Sequence, residues 1–308
     1  MPLILAYCAV VFIWSTTPLA IQASQQDIPY YASLCLRMWG SAVLSIPLLM
    51  LIRQSLDFSP LALKSYAAGA IGVYGAMLCV YWGAAFIPSG LISVLYGLSP
   101  MLSGLLAYYW LQERELTPVR LLALLLALCG LYFVVVGQLT LAEDSWRGIV
   151  VTLASVACFA VSAVAVKQVN AGLHPLVQTS GTLWLSSIGF VITIPVFGFS
   201  MPQQIGWVSS AGLFYLISCG SLLGFVLYFY ILKHLPTARV AMITLIAPVL
   251  AMIWGNLLRG EVLHVMSLIG CAALISALAL YQWHSRLDDG LKRLLVAHRK
   301  PVVKIKKS

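Results

Sequence analysis

Two stretches of this sequence decide the fold: LSPMLSGLLAYYWLQERELTPVRLLALLLALCGLYFVVV (Leu98–Val136) and IAPVLAMIWGNLLRGEVLHVMSLIGCAALISALAL (Ile246–Leu280). Each has a proline near the start of an apolar run, then a glutamate, then a second apolar run. At one offset of 148 positions, Pro88, Pro100 and Glu113 recur as Pro236, Pro248 and Glu261. The sequence therefore contains an internal repeat, a pattern that is typical of membrane transporters.

The composition excludes a soluble protein. Hydrophobic residues make up 61% of the chain and charged residues 9%, and the mean hydropathy is +0.97. A typical soluble domain has about 25% charged residues. We therefore predict a membrane protein that is not an enzyme, and we assign no catalytic residue.

Ten apolar runs are long enough to cross a bilayer core, which needs about 20 residues. They cover residues 3–22, 30–52, 64–86, 89–111, 116–137, 147–169, 175–199, 206–232, 237–258 and 263–284. The first run has no Lys or Arg before it and no clean cleavage site after it, so a retained helix is expected rather than a signal peptide. The sequence predicts an all-α integral membrane protein with ten transmembrane helices.

The basic residues predict the orientation, because Lys and Arg near helix ends stay on the cytoplasmic side. Of the 18 basic residues, only Arg147 and Arg259 fall on the outer side when the amino terminus is inside, and Arg37 lies within a span. The inner side receives Arg53, Lys64, Arg114, Arg120, Lys167, Lys233, Arg239 and the eight basic residues from Arg286 onward. Both termini are predicted to be cytoplasmic.

The repeat predicts two inverted halves. Five spans in each half is an odd number, so the second half enters the membrane inverted relative to the first. The predicted units are a first repeat at residues 1–138, a second at 146–285 and a basic cytoplasmic tail at 286–308. Such repeats bind substrate near mid-depth, at the interface of the two halves, and move against each other in alternating access.

The sequence leaves open which lipids and which protein copies this chain contacts. The tail either rests on anionic lipid or is a solvated segment whose charges set the topology; no nucleic-acid partner is expected. The seven cysteines have no CxxC or Cys/His spacing, so no metal site and no cofactor is predicted. Gly220 and Gly224 form a GxxxG pattern that fits packing within the chain or in a homodimer, so monomer and homodimer both stay open.

The two opening stretches resemble the repeat ends of EamA-type proteins in the drug/metabolite transporter superfamily. The shared features are a proline in the fourth helix, a glutamate that closes it, a Thr-Pro turn and a glycine late in the fifth helix. VFIWSTTPLAIQ (11–22) is similar to the family's first helix, and LCLRMWG (34–40) to its second, which carries an Arg. The resemblance implies a central cavity between helices one, three, four, six, eight and nine.

The resemblance also implies export of small metabolites, most often amino acids or related compounds, from the bacterial cytoplasm across the inner membrane. Two alternatives stay open: a lipid or lipid-linked sugar translocase, and efflux of drugs or toxic compounds. The internal repeat argues against a scaffold that transports nothing. The identity of the substrate, the direction and the mode of coupling are open.

Charged residues give two hints about the substrate. All nine acidic residues fall in loops, at span ends or in the tail, so no mid-membrane carboxylate is predicted for coupling to protons or sodium. This favours a uniporter or an exchanger. Arg37, within the second span, either holds a substrate carboxylate through a bidentate pair or snorkels outward or binds a backbone carbonyl.

Aromatic and hydroxyl side chains complete the predicted site. A pocket lined by tyrosines suits amphipathic solutes because it combines apolar area with hydroxyl groups. Prolines within helices free a carbonyl, so Pro100 and Pro248 are predicted hinge or cavity-facing backbone positions. The predicted substrate-binding residues are Trp14, Arg37, Tyr74, Tyr81, Tyr96, Ser99 and Thr244.

Overall fold

The fold is described by a computed structural model of the chain, in which every described segment of regular structure is helical. The structure describes residues 2–110, 118–137 and 144–235. Beyond residue 235 it describes 240, 243, 247, 250, 253–254, 256–258, 265–277 and 279–281. Thr244, Pro248, Glu113, Glu261 and the basic tail lie outside the described residues.

Eight helices have both ends before residue 235. They are α1 (Leu3–Ser24), α2 (Tyr30–Leu51), α3 (Pro60–Gly83), α4 (Ser89–Trp110), α5 (Pro118–Gly137), α6 (Ser145–Val169), α7 (Pro175–Phe197) and α8 (Trp207–His234). A further apolar helix covers Val265–Tyr281. Seven of these helices, α1 to α4 and α6 to α8, are long and apolar enough to cross a membrane. The all-helical class is confirmed; the full set of ten spans and the inverted arrangement stay predictions.

The outward faces of the helices carry large apolar side chains. Met50 is 73% exposed, Phe214 71% and Val196 74%. In water this much exposed apolar surface would be unfavourable, whereas in a bilayer it contacts lipid tails. The exposed faces therefore agree with membrane insertion.

Helices from the two predicted repeats pack closely against each other. α6 lies along α3 and α4, α7 lies against α2 and α3, and α8 lies against α1 and α2. Glycines allow the close approach: a Cβ added at Gly181 would lie 2.4 Å from the ring of Tyr66, and one added at Gly72 would lie 2.8 Å from Ser162 Oγ. The centre of the bundle is therefore built by residues from both predicted repeats.

Three helices are irregular near the centre of the bundle. α3 has a π-helical segment at Ile71–Ala76, and α8 has another at Leu216–Leu223. α4 is interrupted at Gly97 and Leu98, just before Pro100. Wide π-turns often occur at functional sites in helices, and all three irregular segments adjoin the cavity described below.

Some helix ends differ from the sequence prediction. The third span was predicted at residues 64–86, but α3 begins at Pro60 because the Ser59 hydroxyl accepts a hydrogen bond from the Ala62 amide (3.3 Å) and proline suits the first helical position. α7 ends at Phe197, where Gly198 has a φ of 75° that stops the helix. Caps and backbone conformation, rather than hydrophobicity, set these ends.

Candidate functional site

A cavity of about 80 Å³ lies at the centre of the bundle. This is well above the roughly 10–15 Å³ that one water molecule needs. Its lining residues come from α1, α2, α3, α4, α6 and α8 and from one helical position beyond α8: Trp14, Thr17, Pro18, Ile21, Arg37, Met77, Val80, Ile92, Ser93, Tyr96, Phe159, Gly220, Phe225 and Ala247. Trp14 lies ten residues, or about 15 Å, from the end of α1 at Ser24, so the cavity extends from mid-depth toward the predicted outer end.

Arg37 is the charged residue in the lining. Its side chain is buried, with 1% exposed. Nε donates to Ser221 Oγ at 2.7 Å, and Nη1 donates to the Tyr81 hydroxyl at 3.4 Å, with the guanidinium 5.8 Å from the ring centre of Tyr81. Within the described residues, no carboxylate pairs with Arg37 and no hydrogen bond reaches its Nη2. A buried guanidinium is therefore held in place without a carboxylate from the described residues to compensate its charge, and one of its nitrogens lies near the cavity.

The π-helical segment of α8 shapes the space around that nitrogen. A Cβ added at Gly220 would lie 3.4 Å from Arg37 Nη2 and 3.7 Å from Thr17 Oγ1. Glycine therefore leaves room beside the free side of the guanidinium. The next residue, Ser221, is the one that accepts from Nε, so one short segment both orients the arginine and keeps it accessible.

Aromatic rings form the inner wall of the cavity. Trp14 lies 5.6 Å from Phe159 and 5.1 Å from Tyr228, and Phe159 lies 5.6 Å from Tyr228, measured between ring centres. We call these three residues the aromatic barrier. They lie at the predicted cytoplasmic side of the cavity: Trp14 and Phe159 line it, and Tyr228 packs against both.

Tyr96 is held at the cavity by a relay of hydrogen bonds. Its hydroxyl lies 2.6 Å from Ser155 Oγ, and Ser155 donates to the carbonyl of Ala76 in the π-helical segment of α3. Because the Ser155 hydrogen is used in that bond, Tyr96 is the donor to Ser155. The tyrosine hydroxyl therefore points away from the cavity and its ring faces Phe159, at 6.0 Å.

Two prolines free backbone carbonyls at the cavity. Proline lacks the amide that would bond to the carbonyl four residues earlier. Pro18 therefore leaves the Trp14 carbonyl, and Pro100 the Tyr96 carbonyl, without its usual helical partner. Both carbonyls belong to residues that line the cavity.

The structure brings together only part of the predicted site. Trp14, Arg37 and Tyr96 line the cavity, and Tyr81 lies behind Arg37 as its hydrogen-bond partner. Tyr74 is elsewhere: its hydroxyl donates to Thr193 Oγ1 at 3.1 Å, between α3 and α7.

Of the remaining predicted residues, Ser99 is not among the described lining residues. Ser99 is buried in α4, one position before Pro100. Thr244 and Pro248 are outside the described residues, so their predicted roles stay untested.

Sequence reasoning missed several residues of the cavity. Nothing in the sequence distinguished Phe159 or Ser93 from other residues of their spans, and Gly220 was interpreted only as part of a GxxxG packing pattern. In the structure the Ser93 hydroxyl is buried without a partner in the described part of the chain, and Ser93 lines the cavity. Pro18 could have been predicted, because it is a mid-span proline like Pro100 and lies four residues after Trp14.

The described residues show no metal centre. Among them there is no group of three or more His, Cys, Asp or Glu side chains that could hold a metal ion. Arg147 and Asp144 form an ion pair at 3.2 Å, but it is solvent-exposed at the start of α6. Because its lining includes a buried cationic side chain, the cavity at Arg37 is the candidate substrate site.

Comparisons with known proteins agree with a transporter. The EamA-like transporter family matches residues 1–136 and 146–282. The chain is similar to YoaV, an uncharacterized transporter of Bacillus subtilis, with 24% identity over 272 residues that cover 86% of this chain and 91% of the relative. It is also similar to a probable terminal-alkyne amino-acid exporter of Streptantibioticus cattleyicolor, with 26% identity over 216 residues, 69% of this chain and 70% of the relative.

A solved crystal structure supports the same arrangement of helices. It superimposes with a TM-score of 0.67 at 16% sequence identity, over 92% of this chain and 96% of that chain. At this identity the likeness shows the fold alone.

Proposed function

Because the chain belongs to the EamA-like transporter family, we propose that it exports amino acids or related small carboxylates across the bacterial inner membrane by alternating access. As a member of that family with several apolar spans, it is a multi-pass membrane transporter rather than an enzyme. We propose the substrate class, the outward direction of transport and the bacterial inner membrane as the location.

The observation that carries the proposal is Arg37. A guanidinium that is buried and uncompensated within the described residues is costly in a membrane protein, by several kcal/mol. A substrate carboxylate beside Nη2 would offset that cost, since charge-assisted hydrogen bonds are among the strongest in proteins. Thr17 and Ser93 add hydroxyl groups to the same lining.

The rest of the cavity suits the other parts of an amino acid. The carbonyls freed by Pro18 and Pro100 accept hydrogen bonds from an ammonium group, and the faces of Trp14 and Tyr96 attract a cation. The apolar remainder of the lining accommodates an apolar side chain. The probable amino-acid exporter among the similar proteins supports this substrate class.

Alternating access requires helices that can bend near the cavity. We assign the motion to the irregular segments of α3, α4 and α8, since wide turns and a proline position bend more easily than regular helix. Pro100 lies at one of these segments and keeps its predicted hinge role. The family model matches two segments, residues 1–136 and 146–282, which supports two repeats. We assign the exchange of conformations to these repeats, with both termini in the cytoplasm as the basic residues predict.

Two other functions are weaker candidates. A lipid or lipid-linked sugar translocase needs a groove open to acyl chains, and drug efflux needs a wider apolar pocket. The cavity of about 80 Å³ is small for either, and a buried arginine fits a carboxylate better than it fits a neutral drug.

The test is flux in liposomes that contain the purified protein, with a pool of labelled amino acids and with the matching amino-acid amides. We expect movement of one class of amino acids, independent of a pH gradient, and little movement of the amides, which lack the carboxylate. Arg37→Gln abolishes the movement, whereas Arg53→Gln, at the exposed end of α2, does not. Scrambling of labelled lipid without amino-acid flux would refute the proposal in favour of a translocase.

A further inference from the structure

A second pocket, separate from the central cavity, lies near one end of the bundle. It has a volume of about 180 Å³ and lies between the turn that joins α6 to α7 and the ends of α3 and α8. We call it the lysine pocket; its polar and charged lining consists of Ser65, Lys167, Asn170, Gln178 and Lys233. By the predicted orientation, this end of the bundle faces the cytoplasm.

The lysine pocket lies on the helix faces that line the central cavity. Phe159 in the cavity and Val166 in the pocket are seven residues apart on α6, and Phe225 and Leu232 are seven apart on α8. Seven residues are nearly two turns of helix, so each pair shares one face at a distance of about 10 Å. The aromatic barrier lies between the two spaces, because Phe159 belongs to the cavity wall and Tyr228 follows Phe225 on α8.

The charge of the pocket is positive. Lys233 donates from Nζ to the carbonyls of Gly172 at 3.2 Å and Leu173 at 3.3 Å, so its bonds orient the ammonium without neutralising it. No Asp or Glu is among the described lining residues, which include both Lys167 and Lys233.

The backbone dipoles at this end do not cancel that charge. The carboxyl ends of α6 and α8 each contribute about −0.5 charge, and the amino ends of α3 and α7 each contribute about +0.5. These contributions nearly cancel, whereas Lys233 adds a full positive charge that its carbonyl partners do not neutralise. The pocket therefore attracts anions.

We infer that the lysine pocket is an entry site that binds the anionic group of the substrate before it passes the aromatic barrier to Arg37. The inference rests on the proposed function and deepens it, because it assigns two successive carboxylate-binding positions to one pathway. The step between them moves the carboxylate along the shared faces of α6 and α8 when the aromatic rings separate. The buried pair Ser65 and Gln178, joined by a 2.6 Å hydrogen bond, gives the pocket a rigid wall.

The experiment separates the two faces of the membrane. Uptake of the fastest-moving labelled amino acid is measured in right-side-out and in inverted membrane vesicles, for wild type, Lys167→Gln, Lys233→Gln and the control Lys64→Gln. Lys64 is exposed on α3 at the same end of the bundle but does not line the pocket. In inverted vesicles, whose outer surface is the predicted cytoplasmic face, we expect each pocket variant to raise KM about fivefold, since a unit charge near the substrate in water is worth about that factor. Because a passive carrier keeps the same ratio of maximal rate to KM at both faces, the maximal rate in these vesicles rises by the same factor. KM and maximal rate in right-side-out vesicles stay unchanged, as do both quantities in the Lys64 variant.

Two further arms make the result specific. Lys233→Arg keeps the charge and is expected to restore KM; an equal rise in this variant would mean that Lys233 only positions the turn, and would overturn the inference. If the pocket variants raise KM equally in proteoliposomes of phosphatidylcholine alone, the pocket binds the substrate. If KM rises only when phosphatidylglycerol is present, the pocket binds a lipid headgroup and the inference is overturned. Wild-type flux with unchanged KM in the pocket variants refutes the entry site alone, and absence of wild-type flux refutes the proposed function.

Discussion

Replacing Gly220 by alanine adds one methyl group beside the Arg37 guanidinium. The new Cβ would lie 3.2 Å from Leu216 Cδ2, 3.4 Å from Arg37 Nη2 and 3.7 Å from Thr17 Oγ1. These contacts are tight but can be relieved by shifts of a few tenths of an ångström, and alanine is better than glycine in a helix by about 1 kcal/mol. We therefore expect Gly220→Ala to fold normally, with a thermal midpoint close to that of wild type.

Transport is expected to respond much more strongly. The methyl group occupies the space through which a carboxylate reaches Nη2, so the variant loses a hydrogen bond to a charged group, worth about 1.5–3 kcal/mol. At about 1.4 kcal/mol per factor of ten, the ratio of maximal rate to KM falls roughly ten- to 150-fold. The assay is amino-acid flux in liposomes that contain equal amounts of folded protein.

Gly75→Ala provides the matched control. Gly75 lies in the π-helical segment of α3, and a Cβ there would meet Cys158 Sγ at 3.5 Å, an ordinary contact. We expect near wild-type flux for this variant. The reasoning about the cavity is refuted if Gly220→Ala keeps wild-type flux, or if Gly75→Ala loses flux to the same extent.

Three other outcomes are expected from the contacts described above. Ser221→Ala removes the acceptor of Arg37 Nε, 2.7 Å away, and raises KM about tenfold in the flux assay, whereas Ser221→Thr keeps it low. Tyr74→Phe lowers the thermal midpoint but leaves KM unchanged; a raised KM would restore Tyr74 to the substrate site. A hydrogen bond from Ser209 and another from a backbone amide hold the pKa of Asp27 below its usual value, so their contribution to stability is complete above about pH 4 and is lost as the pH falls through the lowered pKa. Thermal midpoints at pH 7 and pH 3 should therefore differ more for wild type than for Asp27→Asn, and equal differences would contradict this assignment.

The candidate site was only partly predictable because its residues were chosen by depth and residue type. Trp14 was chosen for its mid-depth position, Tyr96 for its position one turn before the Ser99-Pro100 pair, and Arg37 as the charged residue within a span. The structure has all three in the cavity lining. The same reasoning included Tyr74, because helical spacing relates it to Tyr81. The π-helical segment at Ile71–Ala76 changes the helical register between these residues, and the structure places the Tyr74 hydroxyl against Thr193.

The interpretation of Arg37 also depended on contacts that are distant in sequence. From the sequence, snorkelling toward the interface and substrate binding were both open. The acceptor that holds Nε is Ser221, 184 positions away, and no local pattern links the two residues. With Nε held inside the bundle and 1% of the side chain exposed, snorkelling is excluded.

Sequence alone determined that the chain lies in a bilayer rather than in water, that its fold is all-helical and where most spans lie. It could do so because a bilayer imposes its thickness and its apolarity on each helix separately. It also determined the internal repeat, since equal spacing of prolines and glutamates is visible without any contact. Tertiary structure decided which faces meet, where the helices become irregular and which side chains surround the cavity. Those features depend on packing between residues far apart in the chain, whose close approach at Gly72 and Gly181 no hydropathy pattern records.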